Sequence, residues 1–163
     1  MEPLEPNVHQ PHKLVPLIWS NCADVATFAL SRTNAAEIRK RFDSFRGPID
    51  GVLFELPEQK ADRALLELGT LLRALDDADG LSDELARLGD GPYGLVLKPD
   101  RSREDLYFRD MTNKILHARG FEWSDDKKLG PVINCVGNDP TRWLHALIRV
   151  DRLLALCGQL GLG

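Results

Sequence analysis

Apolar residues recur at helical spacing from Leu14 onward, through Ile18, Cys22, Val25 and Ala29, with Leu17, Phe28 and Leu30 widening the face. That pattern predicts a first core helix. A second helix is expected from Asn34, whose side chain can cap while Glu37 sits three residues on, to the stop at Gly47-Pro48. The segment "GVLFEL" reads as strand or helix, and Pro57 after it suits the first turn of a long helix with Leu65, Leu68, Leu72 and Leu75 as its buried stripe. "DDADG" ends that helix, Ser82 can cap a short one carrying Leu85 and Leu88, and the turn-rich "GDGPYG" leads into the strand-like "LVLKPD". Ahead of all this, Pro3, Pro6, Pro11 and Pro16 remove backbone donors, so residues 1 to 13 are expected to form an extended arm.

In the second half, Ser102 with Asp105 three residues later predicts a helix start, and Gly120 is placed to stop it, giving a helix over Arg103 to Arg119. Three strands should follow, in "FEWS", "PVINCV" and "RWLHALIRV", separated by Gly130-Pro131 and by Gly137-Asn138-Asp139-Pro140. The last run also fits a helical period through Leu144, Leu147 and Ile148. Read as a strand, it puts Trp143 and His145 on one face, first as a pair closing the sheet against the helices and second as a stacking platform for a base. Asp151 is then placed to cap a closing helix with Leu153, Leu154, Leu156, Cys157 and Leu160. The expected fold class is α+β: a bundle of four to five helices, a small C-terminal antiparallel sheet of about three strands, and a closing helix, with residues 14–163 forming one domain.

The 163-residue length is enough for one core without metal or disulfide support. With 21 basic against 25 acidic side chains, the net charge of -4 offers no global attraction to a polyanion, so a nucleic-acid contact must be local. Arg39, Lys40 and Arg41 form a basic run that reads first as a solvated helix face. Cys22, Cys135 and Cys157 are widely spaced in apolar surroundings and read as reduced, buried thiols. Their spacing gives no support for a structural zinc site, His9 and His12 on the arm read first as solvated residues and only second as a metal grip, and no cofactor is expected. The glycines of "GDGPYG" are not a phosphate loop, because no Gly-Lys-Ser/Thr opens a helix after them. Apolar runs are too short to span a membrane and the N-terminus lacks signal-peptide patterning, so the expected location is cytoplasmic, with no membrane partner.

The candidate chemistry lies in "FRDMTNKILHA". On a helical wheel turning about 100° per residue, with Arg109 at zero, Asn113 falls near ~40°, His117 near ~80° and Asp110 near ~100°. Met111, Ile115, Phe108, Thr112 and Leu116 fall on the opposite side, which faces the core. A fixed cation, a proton carrier near neutral pH, and polar groups to orient them are the equipment for handling a phosphodiester. They are also the equipment of a structural seam, in which Asn113 and His117 hydrogen-bond neighbouring backbone.

This segment resembles bacterial uncharacterised proteins whose corresponding helix reads R-[DE]-x-x-N-K-I-I-H-A, and through them it is distantly similar to the HEPN superfamily of helical nucleotide-binding proteins and ribonucleases. The resemblance covers residues 102 to 163. It implies Arg109 and His117 as catalytic residues of metal-independent RNA cleavage, and Asp110, Asn113 and Lys114 as binding residues. Seven residues separate Arg109 from His117, where the superfamily has four to six. The resemblance also implies a homodimer whose two polar helix faces border a shared cleft. Two classes of function stay open: binding of a nucleotide or RNA, with cleavage as the lesser reading, and a non-enzymatic interaction module that docks a protein partner, such as a defence or toxin–antitoxin component, through the same face.

Overall fold

The computed structural model describes residues 13–42 and 46–160. The expected arm, with His9 and His12, lies outside the described residues except for Lys13. Helix α1 runs unbroken over Val15–Arg39, so the expected start of a second helix at Asn34 is corrected. Asn34 and Glu37 lie inside the last turns of α1, where neither has an N-terminus to cap. Its apolar stripe of Ile18, Cys22, Val25, Phe28 and Ala29 is buried as the periodicity implied. The basic run falls at its C-terminal end, where Arg39 pairs with Asp50 at 2.7 Å and Lys40 with Glu37 at 2.7 Å.

A short helix α2, Arg46–Asp50, passes into a π-helical turn over Gly51–Glu55, which resolves the ambiguous "GVLFEL" as helical. Helix α3, Leu56–Asp79, follows with Pro57 in its first turn and Leu65, Leu68, Leu72 and Leu75 buried. Gly80, with φ of +65°, ends it and opens α4, Leu81–Leu88. Ser82 sits inside α4 rather than at its cap. The capping role is taken by Asp76 of α3, whose carboxylate accepts the Ser82 backbone N–H at 2.6 Å.

The sheet has five strands, not three, and it does not follow the helices as a C-terminal appendage. Its strands are β1 Gly94–Leu97, β2 Arg103–Leu106, β3 Ala118–Asp126, β4 Gly130–Gly137 and β5 His145–Arg149, in the order β2-β1-β5-β4-β3 with every neighbour antiparallel. The α+β class stands; the strand count and placement are corrected. The largest departure is the expected helix from Arg103 to Arg119. Its first third is β2, paired with β1 from Gly94↔Leu106 to Leu97↔Arg103. The tight turn between them carries Arg101 at φ 69°, with Asp100 accepting the Ser102 N–H at 2.9 Å. Ser102 thus closes a hairpin instead of capping a helix. Leu106 alone of β2 points into the core, so the charged "RED" gives no apolar period for either structure, and strand pairing decides.

Helix α5 is therefore short, Phe108–Leu116. Gly120, the expected helix stop, lies within β3. The closing helix α6, Val150–Gln159, begins one residue before Asp151, with Arg149 as its extended N-cap. Helices α1, α5 and α6 cover one face of the sheet and bury Val96, Ile133, Cys135, Ala146 and Ile148. At the β3 edge of the same face, Trp123 meets Phe28 edge-on at 5.0 Å and donates its indole N–H to Asp62 at 2.8 Å. Burial, offset in part by that hydrogen bond, raises the affinity of the Asp62 carboxyl for its proton. Among the described residues, no helix is long and apolar enough to cross a membrane.

Candidate functional site

Helix α5 is set in place by two local features. Tyr107 is extended (φ -97°, ψ 171°) and ends the β2 ladder, which lets Phe108 begin a helix. The helix is then pressed against α3 at Gly69, where a Cβ would lie 2.7 Å from Ile115 Cγ2. Glycine at that point allows the two helices to approach closely, and Phe108, Met111, Thr112 and Ile115 fill the interface. The helix ends at His117, whose N–H reaches the Asn113 carbonyl at 3.0 Å and whose side chain is exposed.

The wheel's single polar side divides into two environments. On the α3 side, the Arg109 guanidinium donates to the buried Asp76 carboxylate at 2.5 Å and lies 3.4 Å from Asp77. Arg73, paired with Asp77 at 3.2 Å, also donates to the Asn113 side-chain carbonyl. The Asp76 side chain is fully covered, and burial pushes its carboxyl up. The hydrogen bonds from Ser82 and Arg109 outweigh burial and hold it below the usual carboxylate value. Arg109 thus answers a buried negative charge and caps, through Asp76, the junction of α3, α4 and α5.

On the other side, Asp110, Asn113, Lys114 and His117 face a cleft of about 690 Å³, completed by Lys98 from the end of β1 and by Asn138, Asp139, Arg142 and Trp143 from the β4–β5 loop. Arg109 does not line it. Lys114 is held by Asp110 at 3.2 Å and lies over the Trp143 ring, 4.8 Å from its centre. Lys98 pairs with the exposed Glu104 at 3.0 Å. The Arg142 side chain is exposed and makes no ion pair among the described residues.

The loop wall is rigidly built. Gly137 donates to the Leu144 carbonyl at 2.8 Å, and Leu144 donates to Leu97 at 2.9 Å, tying the loop to β1. A Cβ at Gly137 would lie 2.3 Å from the Trp143 carbonyl oxygen. Asp139 accepts from the Thr141 hydroxyl at 2.5 Å and its N–H at 3.1 Å, bonds that hold its carboxyl below the usual value and spend it inside the turn. The remaining polar equipment of the cleft is two lysines, one arginine, His117, two asparagines and the carboxylate of Asp110, which is paired with Lys114. Such a set can hold a phosphate oxygen and leaves no carboxylate poised as a general base.

Of the five sequence-derived site residues, the cleft gathers Asp110, Asn113, Lys114 and His117, while Arg109 is drawn away to α3. Lys98, Asn138, Arg142 and Trp143 were not foreseen. "GNDP" announced a turn, but nothing in its spacing tells which helix the turn meets. The stacking pair of Trp143 and His145 is also corrected. Trp143 lies in the loop, buried beneath Lys114, and His145 lies on the open face of the sheet. There Asn134 donates to Glu122 at 2.9 Å and lies 3.0 Å from His145 Nδ1, in a second hollow lined by Leu95, Leu97 and Leu147. Among the described residues no group of three or more His, Cys, Asp or Glu could hold a metal. No protein-family model matches the chain, and no curated protein and no solved structure matches it significantly.

Proposed function

We propose that this chain binds a phosphate-bearing ligand, a nucleotide or an RNA strand, in the cleft between the C-terminal end of α5 and the β4–β5 loop. The observation that carries the reading is the convergence of Lys98, Lys114 and Arg142 from three separate elements onto one cleft, with His117 exposed at its edge. In an acidic chain this is the local positive charge that a polyanion requires. One copy gathers all three cations, so the reading does not depend on a homodimer.

Binding is favoured over cleavage. The HEPN-like pairing would need Arg109 to stabilise the charge that develops as His117 moves a proton, yet Arg109 is engaged by Asp76 and Asp77 outside the cleft. Of the HEPN resemblance, the proposal keeps the ligand class and leaves out the chemistry. The three free thiols fit a cytoplasmic setting.

The test is fluorescence anisotropy with a labelled single-stranded RNA and with ATP as competitor, run at two salt concentrations. Saturable binding that weakens with salt, and that falls at least about tenfold in the Lys98→Glu/Arg142→Glu double variant, is the expected result. Absence of saturable binding of either ligand, or binding indifferent to that double substitution, overturns the reading and leaves the docking of a protein partner as the better account of this face.

A further inference from the structure

The face of the sheet turned away from α1, α5 and α6 is separate from the cleft on α5. Val96, Ile133, Cys135, Ala146 and Ile148 point into the helix-covered core, so the alternate residues Leu95, Leu97, Asn134, His145 and Leu147 project to the other side. A solvated sheet face is ordinarily polar, and this one is apolar at its centre. Leu95 stands directly opposite Leu147, Leu97 directly opposite His145, and all four are half-buried. They line a hollow of about 670 Å³. Leu129 lines it too, from the β3–β4 turn, where the Asp126 carboxylate accepts the backbone N–H of Lys128 at 2.8 Å and of Leu129 at 2.9 Å. A smaller hollow shares Leu95, Leu129 and Leu147 and continues to Pro92 and Arg149. The two adjoin along β5 from His145 to Arg149, a run of about 13 Å at ~3.3 Å per residue.

Donors gather at one end of this groove. Arg103 of β2 stands opposite Leu97, so Arg103 and His145 flank that leucine in one row across the sheet. Arg103 lines the hollow and makes no ion pair among the described residues, whereas Arg149 at the other end is answered by Asp151 at 2.7 Å. The two carboxylates of the hollow are already engaged, Asp126 within its turn and Glu122 by the Asn134 side chain at 2.9 Å. A carboxylate only accepts, so Asn134 turns its NH2 group toward Glu122, and the second hydrogen of that group meets His145 Nδ1 at 3.0 Å. Nδ1 is then the acceptor, and the ring carries its proton on Nε2, the donor it can offer a ligand.

We propose that this groove binds a medium-chain aliphatic carboxylate, with its head in the row of Arg103 and His145 and its chain over Leu95, Leu147 and Leu129. The Arg103 guanidinium matches a carboxylate in charge and forked geometry, and His145 adds a second N–H. The two residues are two strand spacings apart, about 10 Å between backbones, a gap that both side chains reach across toward one head group above Leu97. The leucines take the chain out of water, and the length of the groove suits about ten carbons rather than a larger lipid.

The test titrates the full isotope-labelled chain with sodium decanoate, followed by amide chemical shifts, beside decylammonium chloride of the same chain length. Saturable shifts at Leu95, Leu129, His145 and Leu147, with α5 unmoved and decylammonium at least about tenfold weaker, are the expected result. Arg103→Glu, an exposed change on an edge strand, should weaken decanoate at least about tenfold and abolish its advantage over decylammonium. Shifts that do not saturate or that centre on the α5 cleft, equal binding of the cation, or an undiminished affinity in Arg103→Glu overturns the proposal. So does a change of the same amides with protein concentration that decanoate fails to reverse, which would give this face to a second copy of the chain. The comparison of decanoate with decylammonium on the wild-type chain decides even where the variant fails to fold.

Discussion

The two halves of α5's polar side began as one surface on the helical wheel and ended in opposite roles. Arg109 turns toward α3 and is consumed by Asp76 and Asp77, while Asn113, at the boundary, accepts from Arg73 and still lines the cleft. Asp110, Lys114 and His117, displaced by no more than part of a turn, face the cleft beside Lys98 and Arg142. The difference teaches that position on a helix determines which neighbours a side chain can reach, while the charge of those neighbours determines its role. A buried carboxylate must be answered by a cation, and Arg109 is the one that can reach it. The cleft has no such buried charge: Lys98 and Lys114 pair only with the exposed carboxylates of Glu104 and Asp110, and Arg142 makes no ion pair among the described residues.

The two regions can be broken independently, and the largest effect should come from the cleft wall. Gly137→Ala puts a methyl group against the Trp143 and Leu144 carbonyls, which are fixed by the hairpin. Chemical denaturation should show a loss of about 3 kcal/mol, together with weakened RNA binding, because the loop carrying Arg142 must move. If binding and stability both survive, the loop is not the rigid wall described here.

Arg109→Ala should break the other half. Asp76 keeps its bond from Ser82 but loses its cation while remaining buried, at a cost of about 2 kcal/mol, and RNA binding in the cleft should stay within about twofold of wild type. A strong loss of binding at unchanged stability would return Arg109 to the site.

The same half has a pH signature. The Asp76 carboxyl titrates below its unfolded value of about 3.9 because its hydrogen bonds outweigh its burial. Its contribution is therefore present above that value and is lost as pH falls through the lower folded one. Melting curves taken from about pH 5 downward should show a shallower acid loss in Asp76→Asn than in wild type. Equal acid slopes would show that Asp76 does not carry the effect.

The smallest effect is expected at the exposed end. His117→Ala should change stability by less than about 0.5 kcal/mol, since its side chain is exposed and the helix-ending bond belongs to its backbone. A calorimetric loss above about 2 kcal/mol would make His117 a structural residue.

Much of the molecule was legible before folding. The buried stripes of α1 and α3, the three buried cysteines, Pro57 in a first turn, and the "FEWS" and "PVINCV" strands all carry a local period or a local stop. What was misread lacks one. "REDL" offers a capping-box spacing that a hairpin also satisfies, and only the exposed edge of β1 makes it a strand. Asn34 looks like a cap, but α1, packed on α3, runs through it to Arg39.

By itself, the chain's order of apolar and polar residues determined that helices precede and follow strands, which faces are buried, and that one helix carries Arg109, Asp110, Asn113 and His117 along one side. Only the tertiary structure decided that the sheet runs β2-β1-β5-β4-β3, that Arg109 belongs to Asp76, and that Lys98 and Arg142 join Lys114. The physical reason is range. Periodicity and capping act over a few residues and are written in the local sequence, whereas ion pairs and clefts join residues far apart in the chain, through contacts that no spacing encodes.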